Sequence, residues 1–139
     1  MIFSQERVEW LPRMHLTVFK IVAVERDDLT YLRSLEPPLA VSGHAFVYIL
    51  ACSDGALYVG SAGDLAVRLK QHGGSQGVKF TRDHPGGRLV YFEGPLAIAV
   101  ALHRERQLKR WSRAKKLALI QNKTAVLRRL SQSCERHRQ

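Results

Sequence analysis

The chain predicts an α+β domain, a small three-stranded antiparallel sheet flanked by helices in the order ββαβαα. Two short runs rich in β-branched and aromatic residues flank Cys52-Ser53-Asp54-Gly55, a strong turn signal. A third such run lies near residue 90. Around it stand helical segments with their own start signals at Asp64, Pro95 and Ser112.

The first two strands span residues 46–52 and 57–61. A two-residue loop would put Tyr48 and Tyr58 on opposite faces of the hairpin. A three-residue loop with Gly55 in the left-handed region pairs Leu50 with Tyr58 and Tyr48 with Gly60. That register places Val47, Ile49, Ala51, Leu57 and Val59 on one aliphatic face. Phe46, Tyr48, Leu50, Tyr58 and Gly60 collect on the other. The cleaner segregation favours the longer loop. Gly60 would then leave open space for a ligand beside Tyr48.

Asp64 caps a helix to about His72, ended by Gly73-Gly74. Residues 74–87 read as a basic loop containing Lys79 and Arg82. Residues 89–93 form the third strand, and Pro95 opens a helix to about Trp111, because proline suits a first helical turn. Ser112 caps the next helix through about Gln121, which is extended, or followed by a short one, to Leu130.

A chain of 139 residues with 45% hydrophobic content fits one domain with a real core. The formal net charge of +10 directs it toward polyanions. Residues 1–42 hold five basic and six acidic side chains, so all of the excess lies downstream. Cys52 and Cys134 are too few for a disulfide framework and have no partners spaced for zinc. No apolar run has the length of a membrane span, and the N-terminus lacks the ordered regions of a signal peptide. A soluble cytoplasmic protein is the expectation.

Three regions follow from this pattern: residues 1–42 as an extension of unknown role, 43–125 as the compact domain, and 126–139 as a basic tail. Within the extension, residues 16–24 read as a strand and residues 28–32 as a short helix or turn, before Pro37-Pro38 breaks any regular element. Val41 stands just before the compact domain, and a GTG codon there could serve as the initiator.

Arg68 and His72, four positions apart, project from one side of their helix. Arg68 can grip a phosphate through two parallel hydrogen bonds, and His72 can pass a proton or hold a phenol. The ordinary alternative for such a pair is a solvated face. Tyr48 and Tyr58 have an ordinary reading too, as half-buried packing aromatics. A phenol is a poor base at neutral pH unless a cation or metal nearby favours its ionised form.

Glu105 interrupts an apolar stripe of Ile98, Ala101, Leu102 and Leu108. A carboxylate on an inward face needs either an arginine partner or a metal ion, and both readings stay open. The segment 104–116 holds seven basic residues around Trp111. Arg110, Arg113, Lys115 and Lys116 with Trp111 suit a phosphate backbone and base stacking.

Together Tyr48-Ile49-Leu50, Tyr58-Val59-Gly60, Arg68, His72 and Glu105 resemble the GIY-YIG nuclease superfamily, most closely its small stand-alone bacterial members. The likeness runs over residues 46–120. It includes Leu102-His103-Arg104-Glu105 and Trp111-Ser112-Arg113-Ala114-Lys115-Lys116, which look like that subgroup's closing motif. The resemblance implies metal-dependent hydrolysis of DNA phosphodiesters. Tyr58 or Tyr48 would activate water, Arg68 would clamp the phosphate and His72 would assist proton transfer or orient a tyrosine. Glu105 would ligate one Mg²⁺ or Mn²⁺. Two departures stand out: Phe46-Val47-Tyr48 replaces Gly-Ile-Tyr, and Ser61 follows Gly60 where repair-type members carry lysine. A non-catalytic nucleic-acid-binding module is the alternative reading. A pure protein-interaction domain explains neither Glu105 nor the charge.

Overall fold

A computed structural model of the protein describes residues 29–73 and 86–136. Strands β1 (His44–Ala51) and β2 (Leu57–Ala62) form the hairpin and α1 (Leu65–Gly73) follows. Strand β3 (Arg88–Ala97) leads directly into α2 (Ile98–Lys109), then α3 (Arg113–Ile120) and α4 (Thr124–Arg136). The sheet is antiparallel with order β2-β1-β3, so β1 is central and fully buried along most of its length. Among the described residues no helix is long and apolar enough to cross a membrane.

The hairpin register is the one the alternation demands. Tyr48 pairs with Gly60 and Leu50 with Tyr58, and Gly55 has φ +87°. Val47, Ile49, Ala51 and Val59 join one core cluster with Ala101 and Leu108 of α2, while Phe46, Tyr48 and Leu50 join another with Leu65. The sheet therefore has an aliphatic side covered by α2 and α3 and an aromatic side covered by α1. Asp64 caps α1 by accepting from the Val67 amide at 3.0 Å, and Ser112 caps α3 by accepting from Lys115.

Two expectations are corrected. Pro95 does not open a helix: it lies within β3, and α2 begins only at Ile98. Strand β3 is at the sheet edge, where a proline sacrifices no ladder bond, and Gly94 and Pro95 bulge opposite Phe46. The apolar stripe of α2 is also narrower than its sequence reads. Ala101 and Leu108 are fully buried, but Ile98 and Leu102 are 54% and 44% exposed.

Part of the expected extension belongs to the core. Leu29 and Leu32 are buried in the aliphatic cluster. The Arg88 guanidinium donates to both of their carbonyls, and the Leu35 amide donates to the Leu89 carbonyl at 2.8 Å. Residues 29–35 thus form a strap along β3. Replacing Leu32 by Ala should lower stability by about 2–3 kcal/mol, the usual cost of a cavity left by a buried leucine. Urea unfolding checks this, and an unchanged midpoint would show that the strap lies outside the cooperative unit. The strand expected at residues 16–24 lies outside the described residues.

Candidate active site

The aromatic side of the hairpin builds the site. Tyr48 points across Gly60, and its side chain is 1% exposed. A Cβ on Gly60 would stand 2.6 Å from the Tyr48 hydroxyl, so the space above Gly60 is filled by the phenol itself. The expected open space for a ligand is corrected accordingly: glycine is there to admit Tyr48. The same hydroxyl meets α1, where Tyr48 Oη lies 2.9 Å from His72 Nε2. The rings of Tyr48, Tyr58 and His72 form a triangle with centroid separations of 5.2–6.1 Å.

Burial above all pushes the Tyr48 phenol well above its ordinary proton affinity. Tyr58 and Glu105 push the same way, and only Arg68 opposes them. Arg68 and Glu105 therefore both act on this one hydroxyl from different helices. Burial, then the Arg68 charge, lowers His72 below its usual value and keeps the imidazole neutral at physiological pH. Tyr48 Oη and His72 Nε2 share this hydrogen bond, and its donor is set by whether the neutral ring carries its proton on Nε2 or on Nδ1. That Nδ1 is buried without a hydrogen-bond partner among the described residues.

Glu105 reaches the β2 edge from α2. Its Oε2 accepts from the Ser61 hydroxyl, and its Oε1 is ion-paired with Lys109 at 2.6 Å. Burial would raise this carboxyl's proton affinity, but the bonds from Lys109 and Ser61 and the charges of Lys109 and Arg106 hold it below the ordinary range. The described residues contain no cluster of three or more His, Cys, Asp or Glu side chains able to hold a metal. A cation here would have one carboxylate, with water and phosphate oxygens completing its shell. That donor set suits a hard ion such as Mg²⁺, and an ammonium already sits on the carboxylate in the place of a cation.

The basic run has a different setting. Trp111 packs against the aliphatic cluster, on the side of the sheet away from the phenols, with the Arg104 guanidinium 5.2 Å and the Lys115 ammonium 5.8 Å from its ring centre. Arg113 donates from Nη1 to the Gly55 carbonyl at 2.6 Å, tying α3 to the hairpin turn. Burial, then the Arg113 charge, lowers the proton affinity of Lys116. Arg110 is exposed. Lys79 and Arg82 lie outside the described residues.

Sequence reasoning missed three contacts. Lys109 was legible in principle, since Glu105 and Lys109 stand at the i,i+4 spacing of a helix pair. Ser61 joins Glu105 only through the fold and left no local signal. Arg104 makes a forked pair with Glu93 on β3, at 2.7 Å in its closest bond, and so fixes the helix that carries Glu105.

A small three-stranded sheet with two facing phenols, a helical Arg/His pair and one carboxylate from a second helix defines a class. Residues 44–118, more than half of the chain, match the GIY-YIG catalytic domain, and the chain belongs to that family. The family is of nuclease type. The UPF0213 proteins of Staphylococcus aureus strains Mu3 and Mu50 are each 44% identical to it over 78 residues, 56% of this chain and 95% of theirs. The solution NMR structure of the UPF0213 protein BH0048 from Bacillus halodurans is 36% identical, with a TM-score of 0.39. It covers 58% of this chain and 85% of that one.

Proposed function

We propose that the protein is a divalent-metal-dependent DNA nuclease that hydrolyses phosphodiester bonds. The observation that carries this reading is the packing of Tyr58 and His72 against Tyr48, whose hydroxyl also feels the charges of Arg68 and Glu105. Packing alone does not require an arginine, a neutral histidine and a carboxylate around two tyrosines.

Their environments divide the roles. Tyr48 is buried and holds its proton, so it orients His72, whose ring burial and the Arg68 charge keep neutral. Tyr58 is only half-buried and is the phenol that reaches the attacking water. Arg68, also half-buried, binds the scissile phosphate through its planar fork and stabilises the charge that grows on it. Glu105 would hold Mg²⁺ or Mn²⁺, which when bound supplies positive charge to the phosphate oxygens. Arg110, Trp111, Arg113, Lys115 and Lys116, with Lys79 and Arg82, are the proposed nucleic-acid contacts.

Incubation with single-stranded, duplex and branched DNA, with and without Mn²⁺ or Mg²⁺, tests the proposal. Metal-dependent fragments are expected from at least one form. Binding without cleavage of any of them would leave the non-catalytic module standing instead. The basic surface has its own measurement. Arg110→Ala with Lys115→Ala should weaken binding on all sequences and lower the salt dependence of affinity by about two units, one per lost phosphate contact. An unchanged slope would make these side chains a solvated surface.

A further inference from the structure

Both oxygens of Glu105 are occupied, by two partners of very different kinds. Ser61 is neutral, half-buried and fixed on a strand. Lys109 is charged, flexible and 54% exposed, while Glu105 is 17% exposed. An ammonium is a compact, strongly hydrated point charge on a mobile stem, so it can leave for water at little cost. A guanidinium fork would not leave so readily. The neutral bond from Ser61 keeps the carboxylate aimed whether or not Lys109 is present.

We propose that Lys109 is a displaceable counter-ion of Glu105, a resident cation that a divalent metal must evict in order to bind. The proposal rests on Glu105 being the metal's protein ligand. Lys109 neutralises the carboxylate while no metal is bound, and it opposes metal entry by the strength of their ion pair. Arriving Mn²⁺ or Mg²⁺ takes Oε1, and the lysine swings into solvent on the same face of α2. The chain thereby carries a threshold for metal set by one side chain at the edge of the site.

Calorimetric titration of the full chain with Mn²⁺ alone, without DNA, reads this directly. An ion pair of this exposure is worth up to about fivefold in affinity. Lys109→Met and Lys109→Gln should therefore both bind Mn²⁺ up to about fivefold more tightly. Lys123→Met, which removes an equal charge from an exposed position on the turn before α4, should change it less than about twofold. In a Glu105→Gln background, Lys109→Met should have no effect. If both Lys109 variants bind no more tightly than Lys123→Met while Glu105→Gln binds more weakly, the counter-ion proposal is overturned and the ligand assignment survives. If Glu105→Gln binds Mn²⁺ as the unaltered chain does, the ligand assignment falls and takes the proposal with it.

Discussion

Glu105→Gln should abolish metal-dependent cleavage and leave DNA binding intact or slightly tighter. The amide keeps the size of the side chain and can still accept from Ser61, so the geometry at the β2 edge is preserved. What disappears is the carboxylate charge that acts on the Tyr48 hydroxyl, and with it the proposed ligand of the divalent cation. Removing a negative charge from a strongly positive surface favours a polyanion. Stability should fall by no more than about 1 kcal/mol, because the ion pair to Lys109 is half-exposed. The alternative, a purely structural salt bridge, forecasts the reverse pattern. Melting and cleavage measured on this single variant separate the two, and a destabilised protein that still cuts DNA would sink the metal-ligand assignment.

Tyr58→Phe should reduce turnover by about a hundredfold or more, the usual cost of losing a proton-transfer group, with unfolding and DNA affinity nearly unchanged. Tyr48→Phe should behave differently. Its hydroxyl is buried against His72 Nε2, so the variant leaves a buried ring nitrogen unpaired and costs about 1–3 kcal/mol of stability as well as activity. The contrast between the two tyrosines is the informative result. Equal, purely kinetic losses would show that the phenols share one role, and full activity in both variants would reduce them to packing residues.

The hairpin was legible because a strand repeats every two residues, so only one register separates Val47, Ile49 and Ala51 from Tyr48 and Leu50. The family resemblance was legible because its motifs fall on that hairpin and on two helices whose caps can be read locally. The end of β3 was not. Pro95 carries the same local preference in an edge-strand bulge as in a first helical turn, and only the pairing of β3 with β1 decides between them. The role of Gly60 reversed for a similar reason, since the sequence shows a missing side chain but not which neighbour fills its place. Ser61 and Arg88 act through contacts 44 and 56 or more residues away, which no window along the chain reveals.

The leucine strap gives homology and folding different starting points. Similarity to the family begins at residue 44, whereas the packed core already includes Leu29. A fragment cut at the homology boundary would remove Leu29 and Leu32 from the aliphatic cluster and uncover part of what remains of it. Apolar surface uncovered in this way is a route to self-association. Solubility of such a fragment would therefore report on the missing strap, and its loss would say nothing about the roles proposed for Tyr58, Arg68 and Glu105.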